Sequence, residues 1–354
     1  FTDTRTLFKQ ISLASGWTPR RTPSILDVGH AKILMWDGKR DSLQRQVLAV
    51  IESPMEANSS RLYFAQQLAR KYAAQYQAIF GDDPTDVLGA AYPQLAANQT
   101  GCLMPLSGTT TPTEDCTGGT KHGVPGDGAE YDGLTAAQQL RVTTIAMNAG
   151  KAIAAYERRL SCGQSRFDAY MGGDATALTE AERRGAALFV GKAQCSTCHS
   201  GPFMSDQKFH NVGLYPALVA GAFIDKDDRG AEVGLAAALA DPLNVKGVHS
   251  DGDDGRLPAS VGEGKLGAFR TPMLRCVAKR PSFMHTAQLR TLEDVVKFFN
   301  QGGHARAGTT FPGYLGTNVL TPLNLTDEEV ADVVAFLRAL DGPGPAAALL
   351  VAPP

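Results

Sequence analysis

Cys195-Ser196-Thr197-Cys198-His199 carries the most definite chemistry in the chain. Two thiols three positions apart, followed at once by a histidine, form a C-x-x-C-H run, the attachment pattern of c-type haem. On one nascent helical turn both sulfurs can reach the vinyl edges of one porphyrin. His199 then falls beneath the iron as its proximal ligand. A zinc site would need a second ligand pair, and Cys102, Cys116, Cys162 and Cys276 make no second C-x-x-C. A thioredoxin-like dithiol would need a βαβ context, which the chain lacks. Haem c held by Cys195, Cys198 and His199, with His199 as the metal ligand, is the expected cofactor.

Six cysteines, less two for haem, leave four, which allows three disulfide pairings. Cys102 and Cys116 bracket a Gly/Pro/Thr-rich loop and make the natural local pair. Cys162 and Cys276 are then either a long-range pair or buried free thiols. Haem c and surplus cysteines both point to an oxidising compartment such as a periplasm. No leader precedes Phe1-Thr2-Asp3, so one is expected to have been removed. The net charge of −2 gives no electrostatic footprint for nucleic acid. No apolar stretch is long enough to span a bilayer. A length of 354 residues allows two domains.

Helices must carry these groups. One is expected from Asp41 or Ser42, with Leu43, Val47, Val50 and Ile51 on one face and Pro54 at its end. A second runs from Ser59 or Ser60 to Phe80 on a stripe of Leu62, Ala65, Leu68, Ala69, Tyr72, Tyr76 and Phe80, and stops at Gly81. A shorter third covers residues 85–97. Residues 99–134 form a loop long for a structureless connection, so it is either functional or stapled, and Cys102 and Cys116 favour a staple. Thr135 and Gln138 make a capping box for a helix reaching residue 160, with Ile145, Ala149, Ile153, Tyr156 and Leu160 inward. Residues 163–174 read as a hinge. A second box, Thr179 with Glu182, opens the helix that delivers the haem motif. Residues 200–270 show little periodicity and read as a loop region that wraps the haem. Helices over 291–300 and 326–340 follow, the latter boxed by Thr326 and Glu329 on a stripe of Val330, Val333, Val334 and Leu337. The fold class is mainly α.

In this order, the chain resembles the bacterial di-haem cytochrome c peroxidase/MauG family. The likeness covers nearly the whole chain. It rests on Phe1-Thr2-Asp3, Trp36-Asp37-Gly38, Pro54-Met55-Glu56, Ala155-Tyr156-Glu157-Arg158, Cys195–His199 with Ser200-Gly201-Pro202, Phe209-His210-Asn211, the run from Phe269-Arg270-Thr271-Pro272 to Arg275, and Met284-His285 leading to Thr291-Leu292-Glu293-Asp294. It implies two cytochrome-c-like helical haem domains with long loops. Residues 1–174 would be the peroxidatic domain, 175–345 the domain with the C-x-x-C-H, and 346–354 a tail. It also implies reduction of hydrogen peroxide with electrons from a small cytochrome c or cupredoxin, and homodimer formation.

The resemblance gives roles to three further residues. Trp36 matches a tryptophan that relays electrons between two haems; without that context it reads as a half-buried aromatic. Gln46 and Glu56 match the distal-pocket glutamine and glutamate of the peroxidatic haem, where a carboxylate moves a proton between peroxide oxygens. Otherwise Gln46 is a helix-surface residue and Glu56 a solvated charge at a helix end.

Four departures from the family pattern bear on these roles. The family's first C-x-x-C-H lies before the Phe-Thr-Asp motif, so a second haem is expected to be attached upstream of Phe1. No histidine stands at Ala14-Ser15-Gly16, where some members carry a distal ligand, so a first haem would be open, as in the MauG branch. Phe299 occupies the position of a Met or Tyr ligand, which leaves the second haem five-coordinate or ligated by His304, Met284 or water. Arg21, Arg280 and Ser282 stand where the family holds an interdomain calcium, and positive charge there argues against calcium. Of the other histidines, His210 is expected to order the haem loop and His285 to hydrogen-bond near the haem or the domain interface. His30, His122 and His249 are expected in solvent-exposed loops. Three readings stay open: a periplasmic peroxidase, a MauG-like oxidase that modifies a partner protein, and a mono-haem electron carrier or sensor if the chain is complete.

Overall fold

The computed structural model describes residue 16 and residues 18–105, 113–216, 218–219, 222–223, 226–304 and 313–352. Phe1-Thr2-Asp3, Ala14 and Ser15 lie outside them. The described residues hold eight α-helices: α1 (Leu43–Glu52), α2 (Arg61–Phe80), α3 (Ala136–Glu157), α4 (Arg166–Met171), α5 (Glu180–Val190), α6 (Ala231–Ala240), α7 (Leu292–Asn300) and α8 (Asp327–Ala339). Strand pairing is confined to short antiparallel ladders: β1 (Gly101–Leu103) with β2 (Thr120–His122), β3 (Phe209–His210) with β6 (Phe269–Arg270), and β4 (Leu218–Val219) with β5 (Ala222–Phe223). The architecture is mainly α, as expected.

The starts of the helices follow the local chemistry. Thr135, Thr179, Thr291 and Thr326 each accept from the N3 amide while the N3 side chain returns to the cap amide, which satisfies donors that a helix start leaves orphaned. Ser60 caps α2, and Gly81 closes it at φ 72°. Both disulfides form, Cys102–Cys116 and Cys162–Cys276, each with Cα atoms 5.7 Å apart.

Several expectations need correction. Residues 85–97 hold one 3-10 turn, Pro84–Leu88, and not a helix. Gly89 caps that turn, and Val87, Tyr92 and Leu95 then pack irregularly with α2 and α3 residues in one core. The hinge at 163–174 contains α4, opened by Ser165 and Asp168 acting as a box with Asp in place of Glu. The segment 200–270 contains α6, which is apolar almost all round (AEVGLAAALA) and so shows no one-sided stripe. Tyr72 kinks α2 and is 52% exposed.

Ile153 and Tyr156 were expected inward on α3 but are 39% and 43% exposed. The buried face of α3 is instead Val142, Ile145, Ala146, Ala149, Gly150 and Ala154. It is set by the crossing with α1, where a Cβ on Gly150 would lie 2.6 Å from the Gln44 carbonyl.

Local structure repeats along the chain at one constant offset. Arg21-Thr22-Pro23 recurs as Arg270-Thr271-Pro272. In each copy a left-handed residue follows (Asp27, φ 56°; Cys276, φ 53°), then a 3-10 turn (Val28–His30; Val277–Lys279). Next comes a bridged loop (Leu34 with Arg40; Phe283 with Leu289) holding a methionine at φ 67° (Met35; Met284). Each copy ends in a helix, with Ser42 or Thr291 at the N-cap position. Trp36 and His285 occupy the same place in the two copies. The copies exchange backbone bonds: Arg21 N donates to His285 O at 2.7 Å, and Arg270 N donates to Trp36 O at 2.8 Å.

Candidate active site

The haem motif follows α5. Gly191 ends that helix, and Cys195–Thr197 form a 3-10 turn. His199 N donates to Cys195 O at 2.8 Å, so the first thiol and the histidine share one turn. Both thiols are free. Burial pushes the Cys195 thiol up to about 11, which keeps it protonated. His199 Nδ1 lies 2.9 Å from the Met204 carbonyl. A carbonyl only accepts, so Nδ1 carries the proton and Nε2 keeps its lone pair for a metal. Burial lowers the proton affinity of His199 and favours this neutral form.

These groups border a cavity of about 400 Å³, enclosed mainly by apolar side chains from α7, α8 and the loop at 319–325. Phe299 lies in its wall, where the lost ligand was expected. Of the alternatives, Met284 also borders the cavity. His304 does not: its ring packs on Phe298 at 4.8 Å, and its Nδ1 accepts from Tyr215 N at 3.4 Å. His210 Nε2 lies 2.8 Å from Asp206. Cys198 and Asp206 raise it to about 9 against the effect of burial. Cys198, Asp206 and His210 could together grip a metal, but thioether formation at Cys198 would remove that donor.

A second cavity, of about 590 Å³, collects the three residues expected to be catalytic: Trp36, Gln46 and Glu56. Gln46 lies between Leu43 and Val50 along α1, and all three border the cavity. Glu56 N donates to Ser53 O at 3.0 Å in the turn around Pro54, which folds Glu56 back toward Gln46. Burial raises Glu56, opposed by Lys39. Glu157 borders this cavity as well. Burial raises it too, and its Oε2 has no hydrogen-bond partner among the described residues. In the sequence Glu157 stands within the Ala155–Arg158 motif, and nothing local marks a role for it.

Trp36 borders both cavities, as do Arg21 and Arg270. Trp36 sits in the turn closed by the Leu34–Arg40 bridge, and its Nε1 donates to Arg21 O at 2.7 Å. Gly38 completes the turn at φ 81°, where a Cβ would lie 2.6 Å from Phe209. His285 is buried, stacks on Phe269 at 3.6 Å and lies 6.4 Å from Trp36. Burial takes its pKa down to about 3, so it is neutral. Arg21 Nη2, Arg270 Nη1 and Arg280 Nε are sealed from solvent without an acceptor among the described residues. Free thiols, an imidazole lone pair, apolar walls and cations awaiting carboxylates together fit haem c. Arg21 and Arg280 do stand together, and Arg21 Nη1 donates to the Ser282 carbonyl at 2.6 Å. Of the loop histidines, His30 is exposed as expected, while His122, bonded to Glu130, and His249 are half-buried.

Residues 1–98 match the family model for di-haem cytochrome c peroxidase. Cytochrome-c peroxidase IdrP1 of Denitromonas iodatirespirans is 38% identical over 193 residues, covering 53% of this chain and 48% of that protein. Methylamine utilization protein MauG of Methylorubrum extorquens is 27% identical over 322 residues, 91% of this chain and 64% of that protein. The crystal structure of the diheme peroxidase BthA from Burkholderia thailandensis superposes with a TM-score of 0.57 at 20% identity, over 95% of this chain and 75% of that one, which is a likeness of fold. The chain spans about half the length of the IdrP1 peroxidases it matches. No helix among the described residues is long and apolar enough to cross a membrane. The chain thus resembles di-haem cytochrome c peroxidases over residues 1–98, and the relatives it matches are cytochrome-c peroxidases and MauG proteins.

Proposed function

We propose that this chain is the core of a periplasmic di-haem peroxidase. It would reduce hydrogen peroxide to two waters, using two protons and two electrons from a small cytochrome or cupredoxin. One observation supports this most: Trp36 borders a cavity with a complete haem c attachment set and another that holds Gln46 and Glu56. The domain limits 1–174 and 175–345, with the tail 346–354, and a second haem attached upstream of Phe1 belong to the same reading.

Haem, when bound, supplies the electron storage and the peroxide chemistry. Cys195 and Cys198 would hold it as thioethers, with His199 Nε2 toward the iron. Trp36 offers an aromatic step for electrons between the cavities. The Glu56 carboxylate takes a proton from one peroxide oxygen and returns it to the departing one, work worth about 10²–10⁴-fold in rate. Gln46 positions the peroxide through its amide.

The test is haem stoichiometry of the intact native protein by mass spectrometry and pyridine haemochrome, followed by peroxide turnover with a reduced donor cytochrome. Two covalent haems, and a Glu56→Gln variant with unchanged haem content but at least a hundredfold slower turnover, are expected. One haem per chain would remove the peroxidatic centre and move the protein to the carrier or sensor reading.

A MauG-like oxidase acting on a partner protein is the second reading. Phe299 in the cavity wall favours it, because phenylalanine cannot supply the methionine ligand. Hydroxylation or cross-linking of a co-purified protein, with slow turnover of the donor cytochrome, would select it.

A further inference from the structure

Arg21, Arg270 and Arg280 converge on the wall between the cavities. Arg21 and Arg270 border both cavities and occupy equivalent places in the internal repeat. Arg280 borders the smaller cavity and a void of about 30 Å³ beside Trp36. Its counterpart in the repeat is Ala31, so this third cation has no equivalent in the other copy. Each guanidinium is aimed by one backbone carbonyl: Arg21 Nη1 donates to Ser282 O at 2.6 Å, Arg280 Nη2 to Met273 O at 2.7 Å and Arg270 Nε to Met35 O at 3.3 Å. Each keeps another nitrogen sealed from solvent with no acceptor among the described residues.

No carboxylate pairs with these cations among the described residues. The acids whose field reaches Arg280 are Asp341 and Asp27, and both are committed elsewhere. Asp341 accepts from Ala278 N at 3.1 Å, and Asp27 accepts from Ser161 and Cys162. Like charges gathered in a poorly solvated wall repel one another and lose hydration, so the arrangement calls for anions. A planar guanidinium fork matches a carboxylate.

We propose that Arg21, Arg270 and Arg280 form a built anion site that receives the carboxylates of the porphyrin attached at Cys195 and Cys198, with Arg280 adding a fixed positive charge to that cavity alone. The proposal rests on the haem reading above. A guanidinium cannot dissociate as a bound metal ion can, so this countercharge is permanent.

The test is the midpoint potential of that haem in the holoprotein, by spectroelectrochemical titration. Arg280→Met and Arg21→Met should each favour the oxidised form at least tenfold, a fall of 59 mV for one electron. Arg280→Lys, which keeps the charge, should shift it less. Chloride or inorganic phosphate added at constant ionic strength should leave the parent potential unchanged, and so should a chelator. A potential that follows phosphate concentration would assign the site to an exchangeable ion, and one that follows the chelator to a divalent cation. Either result overturns the proposal, as does an unmoved potential in both Met variants. If Arg280→Met does not accumulate, Arg21→Met with Arg280→Lys decides it. A protein without haem would sink the underlying reading, whereas haem with an unmoved potential sinks only the anion site.

Discussion

Glu56 shows how much one buried carboxyl can report. Burial raises it above its ordinary 4.5. The folded protein therefore holds a proton that the unfolded chain releases. The sign follows from linkage: where the folded state binds more protons, stability falls as pH rises. Glu56 thus costs stability from about pH 4.5 upward through its raised folded value. Glu56→Gln removes that cost. Below pH 4.5 the difference in Tm between variant and parent holoproteins should be flat, and above it the variant should gain on the parent. A Tm difference independent of pH would show that the carboxyl is solvated in the holoprotein. Trp36, Gln46 and Glu56 were legible in the sequence only through the family resemblance, and each has a bland alternative on its own. Glu157 and Arg270 were visible only as motif letters, because nothing local tells that a side chain ends in a cavity without a partner.

At the scale of elements, the capped helices were the most legible parts of the chain. Capping is a contact between residues three apart, so Thr135, Thr179 and Thr326 declare it without tertiary help. The helix α6 was hidden because an evenly apolar segment has no periodic face. The loop stapled by Cys102–Cys116 does more than close on itself. It carries Glu114, which pairs with Lys39 Nζ at 2.8 Å, and both residues border a polar recess of about 140 Å³ that also reaches Gln46 and Glu56. Lys39 is the strongest charge holding Glu56 down against burial. Lys39→Met should therefore raise Glu56 further and move the acid limb of peroxide turnover to higher pH, while Lys39→Arg should leave that limb in place. An unmoved pH–rate profile in Lys39→Met would separate the Glu56 carboxyl from the rate.

Across the whole molecule, the two copies of the repeat meet back to back at the Arg21–His285 and Arg270–Trp36 backbone bonds. Cys162–Cys276 ties the chain just after α3 to the second copy, closing a loop with a sequence separation of 114. A crosslink over that span restricts the unfolded chain by about 5 kcal/mol. Replacing both cysteines (Cys162→Ser with Cys276→Ser) should lower the unfolding free energy by about that amount, read from the denaturant midpoint at unchanged haem content. A loss under about 1 kcal/mol would show that the unfolded chain keeps these segments together by other means. By itself the sequence determined the C-x-x-C-H run, the helix starts and the family motifs, because each is written in residues a few positions apart. The repeat was also written there, in two Arg-Thr-Pro runs, but its meaning appears only when the two copies exchange hydrogen bonds. The tertiary structure alone decided that Trp36, Arg21 and Arg270 share one wall, that Met284 and not His304 borders the cavity beside Cys195–His199, and that Ile153 and Tyr156 face outward. Such outcomes depend on which distant surface covers a side chain, and no local pattern encodes that.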